Sequence, residues 1–231
     1  MSRTILALIP AYEPSLLLPI LARQLHENGV AVIIVDDGSG AGFDDVFVAA
    51  ARYATVLKHD KNRGKGAALK TGLAYIRGHF SLDSCVVTLD SDGQHNVSDA
   101  LMCAVQAARH PDSLILGCRD FDSDTVPFLS RLQNRVTRFL FFLASGHSIA
   151  DTQSGLRAFS QDLIPMLLKI PGERYDYEMN VLLACARKKV PVEERSIQTI
   201  FYQHNAGSHF RVLKDSLRIY AGILGWRFQH V

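Results

Sequence analysis

Residues Val86 to His95 read VVTLDSDGQH. Val86, Val87 and Thr88 favour a strand, and the run passes through Leu89 into two aspartates, Asp90 and Asp92, separated by one serine. Side chains two apart on an extended chain share a face. Two carboxylates aimed together repel unless a cation lies between them or one is protonated. Hard divalent ions take oxygen ligands and leave positions open for phosphate oxygens, and Gln94 offers a carbonyl oxygen two residues further on. Taken alone, Asp-Ser-Asp-Gly reads first as a solvated turn, so its neighbours must decide.

Those neighbours repeat one pattern. ILALIP (5–10), AVIIVD (31–36), ATVLK (54–58), the run at 85–89 and SLILGC (113–118) are short apolar segments. Between them lie helical patterns in PSLLLPILARQLHENG, GKGAALKTGLAYIRGHF and VSDALMCAVQAARH. Strands alternating with amphipathic helices predict an α/β fold, a Rossmann-like mostly parallel sheet with helices on both faces. Four polar clusters, PAYE, DDGS, DSDGQH and GCRD, each follow the C-terminal end of a strand. Ligands of open α/β sheets bind just outside those ends, so the clusters predict a single site. Beyond it, helices are expected at 128–146, 161–170, 175–189 and 212–229. DTQSGLRAFS reads as a loop entering a short strand, and VEERSIQTIFY as another strand. Nothing marks a boundary, so 1–231 is read as one domain, with a donor half (1–120) and an acceptor half (121–231).

The composition fits such a domain: 231 residues, 48% hydrophobic, 21% charged, formal net charge +2. That balance gives no reason to expect a nucleic-acid partner. Cys85, Cys103, Cys118 and Cys185 form no C-x-x-C pair, which predicts reduced thiols rather than a zinc site or disulfide framework. MSRTILALIP is too short for a signal h-region, and no run reaches the ~18 apolar residues that would span a bilayer. The expectation is a cytoplasmic protein, peripheral on the inner face of a membrane.

Other clusters supply further candidates. The ring of Tyr12 can pack on a nucleobase, and Asp36 and Asp37 can accept hydrogen bonds from a base or a ribose. NRGKGAAL places Gly64 and Gly66 around Lys65 at a helix start, where free N–H groups and the dipole favour phosphate, although a Walker loop is absent and simple capping fits equally. An Asp-x-Asp-Gly-Thr motif after a strand would indicate a haloacid-dehalogenase phosphatase. Here Gln94 replaces the threonine, the motif falls on the fourth strand rather than the first, and no later Gly-Asp-x-x-x-Asp cluster exists.

In their order, PAYE, DDGS, NRGKGAA, DSDGQH, GCRDF and DTQSGLRAF resemble family 2 glycosyltransferases with the GT-A fold, and among them the dolichol-phosphate mannosyltransferase-like branch that glycosylates polyprenyl phosphates. The resemblance spans roughly residues 3–212. It implies nucleotide contacts at Pro10, Ala11, Tyr12 and Asp37, and a donor segment at Gly64 and Lys65. It implies a Mg²⁺ or Mn²⁺ and sugar-diphosphate site at Asp90, Asp92 and Gln94. Arg119 would meet the acceptor phosphate, and Asp151, Gln153, Ser154 and Gly155 would line the reaction centre. The catalytic candidates are thus Asp92, Asp151 and Arg119. Two departures stand out: relatives usually read Ala-Tyr-Asn-Glu where this chain reads Ala11-Tyr12-Glu13-Pro14, and the usual Gly-x-Ser-Lys is Ala206-Gly207-Ser208-His209. There His209 and Arg211 are expected to share the lysine's charge role beside Ser208.

One helix needs its own reading. In FLSRLQNRVTRFLFFLASG, Arg131, Arg135 and Arg138 fall within an arc of about 60°, with Leu129, Leu132, Val136, Leu140 and Leu143 opposite. Either the leucines face the core beneath a solvated basic face, or the helix lies at a membrane and grips a lipid phosphate. The resemblance favours the second, with acceptor contacts at Arg131 and Arg135. The expected reaction is inverting transfer of a hexose from a nucleotide-diphospho-sugar (GDP-mannose or UDP-glucose type) to a polyprenyl phosphate, with a separate membrane-anchor protein as a partner. The alternatives are a hydroxyl acceptor, with Asp151 as base, and a non-catalytic nucleotide-sugar scaffold.

Overall fold

The structure is a computed structural model that describes residues 3–120 and 128–198, the side chains of 128–130 excepted. Ser208, His209, Arg211 and the helix expected at 212–229 lie outside the described residues. The chain runs β1 (Thr4–Ala11), α1 (Leu17–Glu27), β2 (Ala31–Asp36), α2 (Asp44–Ala50), β3 (Ala54–Lys58), α3 (Lys65–His79), β4 (Ser84–Thr88), α4 (Val97–Arg109) and β5 (Leu114–Arg119). It continues through α5 (Phe128–Ser145), β6 (Arg157–Ser160), α6 (Ile164–Leu167), α7 (Asp176–Lys188) and β7 (Val192–Ile197).

The strands form one sheet in the order β3-β2-β1-β4-β6-β5-β7. Every pairing is parallel except the two made by β6, which runs against both β4 and β5. All other strands therefore point their C-terminal ends to one edge. Alternation along β1 explains the two-sided core: Leu6 and Leu8 enter one apolar cluster and Ala7 and Ile9 the other. Leu6, Leu8 and Ile9 are wholly buried, and burying each stabilises the fold by about 1.5–3 kcal/mol. Helices α3, α6 and α7 cover the first face, and α1, α2 and α4 the second.

The structure corrects one expectation, adds one element and decides between two alternatives. Residues 161–170 do not form one helix. A tight turn, Gln161–Leu163, precedes the single-turn α6, with Pro165 in that first turn and Ser160 Oγ accepting from Asp162 N–H. Helix α2 has no counterpart in the sequence reading. Finally, of the two readings offered for α5, the one that buries the leucine side fails: among the described side chains there only Leu140 packs on the core. Asn134, Thr137 and Phe141 face inward, while Leu132, Val136, Phe139, Phe142 and Leu143 are 39–61% exposed. The inner face is set by the loop beneath it, where Asn134 Nδ2 donates to the Ala150 carbonyl at 3.0 Å.

Candidate active site

Strand direction delivers the polar clusters to one edge. Pro10 and Ala11 close β1 and are buried, and Tyr12 follows half-buried. Asp36 ends β2 and Asp37 follows it, Asp90 and Asp92 follow β4, and Arg119 ends β5. Because β6 is reversed, its beginning lies at the same edge, so the loop holding Asp151, Gln153, Ser154 and Gly155 joins the site from the opposite chain direction. Thr88 Oγ1 fastens that loop by donating to the Gly155 carbonyl at 2.8 Å.

The centre is a partly buried charge network, with Asp90 the most exposed of its paired members at 30%. Lys65 Nζ lies 2.7 Å from Asp90 Oδ1 and 2.7 Å from Glu178 Oε2. His95 Nε2 approaches Asp90 Oδ2 at 3.4 Å, while its Nδ1 is buried without a partner. Burial works to raise the Asp90 carboxyl, but the Lys65 ammonium and His95 overcome it and hold Asp90 far below the usual carboxylate range. Burial would lower Lys65, yet Asp90 and Glu178 together hold it above an ordinary lysine. Asp92 goes the other way: burial and the neighbouring Asp90 charge push its carboxyl up. Its Oδ1 accepts from Gln94 N–H at 3.0 Å.

Beside this network, Arg119 and Asp151 form a two-pronged pair, Nε–Oδ2 at 2.7 Å and Nη2–Oδ1 at 3.1 Å. The Arg119 and Gln153 N–H groups donate to the same carboxylate. Asp151 is 0% exposed. It is placed to orient Arg119, and four donated hydrogen bonds fill it, which is a poor setting for a base that must reach a hydroxyl.

Asp37 differs from the expectation in a similar way. Its carboxylate accepts from Gly64 N–H at 2.7 Å and Arg63 N–H at 3.0 Å, and pairs with His59 Nδ1 at 2.7 Å. Ala67 N–H, in the first turn of α3, donates to the Glu173 carbonyl. These N–H groups, expected to face phosphate, instead satisfy a buried carboxylate and a neighbouring loop. The glycines serve packing: a Cβ on Gly66 would lie 2.5 Å from Tyr177 Cβ. Arg131 and Arg135 lie on α5, the latter exposed.

A divalent cation fits this donor set. The linked side chains are four carboxylates, Asp90, Asp92, Asp151 and Glu178, against the two cations Lys65 and Arg119, a surplus of two negative charges. Asp92, raised by its surroundings, is the group that gains most from a positive ion. Among the described residues no three His, Cys, Asp or Glu side chains cage a metal by themselves.

Two residues escaped the sequence reading, Glu178 and His59, while His95 closed the DSDGQH cluster without a role of its own. Only Glu178 left a trace, an acid between Tyr177 and Met179 on the buried side of its helix.

Comparison with known proteins follows the same line. The glycosyl transferase family 2 profile matches residues 7–167. The chain is 27% identical to a UDP-N-acetylglucosamine–dolichyl-phosphate N-acetylglucosaminyltransferase of Methanococcus voltae, covering 88% of each chain. It is 24% identical to a dolichyl-phosphate beta-glucosyltransferase of Saccharomyces cerevisiae, over 85% of this chain and 64% of that one. In structure it is similar to glucosyl-3-phosphoglycerate synthase from Mycobacterium tuberculosis, crystallised with Mn²⁺ and UDP. The TM-score is 0.75 at 16% identity, covering 98% of this chain and 81% of the other. The fold is GT-A.

Proposed function

Because this chain belongs to glycosyl transferase family 2, we propose that it moves a hexose, with inversion, from a nucleotide-diphospho-sugar to a polyprenyl phosphate at a membrane surface. The observation that carries this reading is the pairing of Lys65 with Asp90 beside Asp92, next to Arg119 held by Asp151, at one sheet edge; the proposal takes the first group as the donor half and the second as the acceptor half. The relatives named for dolichyl-phosphate transfer support the acceptor.

The donor's diphosphate meets the Asp90–Asp92 edge, with Tyr12 at the end of β1 as the stacking surface for the base. Mg²⁺ or Mn²⁺, held by Asp90, Asp92 and Gln94, would neutralise charge on the leaving diphosphate. Lys65 adds a second positive charge at that position. Arg119, aligned by Asp151, and Arg131 hold the acceptor phosphate against the anomeric carbon. A phosphate is anionic near neutral pH and needs no general base. The hydroxyl-acceptor alternative requires Asp151 as base, and that carboxylate is wholly buried beneath Arg119.

Helix α5 supports the membrane location. Its exposed apolar residues, Leu132, Val136, Phe139, Phe142 and Leu143, adjoin the exposed Arg135 and Arg138. An apolar strip edged by arginines suits an anionic bilayer surface. No helix among the described residues is long and apolar enough to cross a membrane. A separate membrane-anchor protein is part of the proposal.

A panel of radiolabelled nucleotide-sugars with polyprenyl phosphate in Mn²⁺ tests the proposal. One donor should yield a labelled lipid with wild type and none with Asp92→Ala. Transfer by Asp92→Ala at the wild-type rate, or label appearing only on soluble hydroxyl acceptors, overturns it.

A further inference from the structure

Lys65 occupies the carboxylate that the donor-site reading assigns to a divalent cation, and the two positive charges compete for Asp90. The arrangement around Lys65 resolves that competition. Its ammonium is shared equally, 2.7 Å from Asp90 and 2.7 Å from Glu178, and Glu178 is only 8% exposed. Were Asp90 its sole partner, displacement would leave a largely covered ammonium, 15% exposed, without a counter-charge, which is costly.

The scaffold keeps Lys65 and Glu178 together. Ala67 N–H bonds the Glu173 carbonyl at 2.9 Å, and Gly66 packs against Tyr177, so the start of α3 and the start of α7 form one unit. Buried Arg157 donates from Nη1 to the Glu178 carbonyl at 2.7 Å and from Nε to the Ser154 carbonyl at 3.1 Å, fixing Glu178 to the loop before β6.

Resting on the donor-site reading above, we propose that Glu178 is a positioning residue that retains Lys65 when Asp90 turns to a divalent cation, so that the ammonium is handed to the donor's diphosphate rather than lost from the site. Glu178 thereby has two effects of opposite sign. Its charge favours cation binding and opposes binding of a metal-free diphosphate. A residue that only supported the fold would shift both in the same direction.

The test uses the full chain. Mn²⁺ binding is followed by electron paramagnetic resonance, and UDP and GDP binding by calorimetry in EDTA. Glu178→Gln is expected to weaken Mn²⁺ binding about tenfold, the scale of one nearby charge, while tightening the metal-free nucleotide that wild type prefers. Weakening of both, or of neither, overturns the inference and leaves the donor site standing. If Glu178→Gln does not fold, Lys65→Met carries the test with the signs reversed: tighter Mn²⁺ and weaker nucleotide support the inference, and any other pattern overturns it. Wild type that binds neither Mn²⁺ nor either nucleotide overturns the donor-site reading and this inference with it.

Discussion

Replacing Gly155 with alanine probes the site with a single carbon atom. The added Cβ would clash with Asp90 Oδ2 and lie 2.7 Å from its Cγ and Oδ1, whereas ordinary contact begins at 3.4 Å. The carboxylate must therefore withdraw by at least about 0.7 Å, the difference of those two distances, and by more for the nearer Oδ2. A withdrawal along the Lys65 direction stretches the 2.7 Å pair to roughly 3.4 Å, beyond hydrogen-bond range. Overpacking of this kind costs about 1–3 kcal/mol. In a domain of this size each kcal/mol lowers Tm by about 2–4 °C, so a fall of roughly 2–12 °C is expected. Transfer should drop about tenfold to a hundredfold, since sub-ångström misplacement of a reacting group is felt in rate. Gly78→Ala is the matched control: it lies in α3 with nothing within 4 Å of the new Cβ, and should add about 0.5–1 kcal/mol of helix stability. Scanning calorimetry and the donor–acceptor assay read both variants. A Gly155→Ala protein that melts with wild type and transfers within about twofold would refute the close approach of this glycine to Asp90.

Glu13 has a left-handed backbone, φ 49°, just before Pro14. Asn tolerates that region better, so Glu13→Asn should gain about 1 kcal/mol and raise Tm in a thermal melt; a lowered Tm contradicts the strain. Asp151→Asn strips the buried Arg119 pair, and should cost about 3 kcal/mol in urea unfolding together with transfer activity; a loss under about 1 kcal/mol would place the pair among weak surface contacts. In EDTA, the raised Asp92 carboxyl takes up its proton in the folded state before the unfolded chain does, so this group adds stability as pH falls toward about 4. The depressed Asp90 carboxyl contributes stability above its unfolded value, and that contribution is lost as pH falls through its folded value. Melts across pH should thus show the mild-acid gain missing in Asp92→Asn and the acid loss reduced in Asp90→Asn, and profiles parallel to wild type count against both assignments. Phe139→Ser with Leu143→Ser removes two exposed apolar contacts from α5, and should weaken flotation with anionic vesicles by about tenfold or more; unchanged flotation removes α5 as the membrane contact.

The strands were readable because strands buried on both faces are continuous apolar runs, as Leu6–Ile9 and Val32–Val35 are. The convergence of the polar clusters followed from strand direction alone. What a carboxylate does with its oxygens was not readable. Asp37 in sequence resembles a ligand contact, yet its partners His59, Arg63 and Gly64 come from a distant turn. Glu178 reaches Lys65 across more than a hundred residues, a distance over which no local pattern operates. Helix α5 shows the limit of periodicity: spacing identified the helix, but both sides carry apolar residues, and the need of the Ala150 carbonyl for the Asn134 amide chose the buried one.

The reversed strand β6 also works as a spacer. It lies between β4 and β5, with Arg157 level with both Thr88 and Leu116. The strand leading to Asp90 and the strand ending in Arg119 are therefore two inter-strand steps apart, about 9–10 Å. Adjacent strands would bring them within about 5 Å, close enough for the guanidinium to collapse onto the aspartates and seal the edge. One inserted strand thus holds the backbone that carries Asp90 and Asp92 apart from the backbone that ends in Arg119, and only the long arginine side chain reaches back far enough to feel both carboxylates.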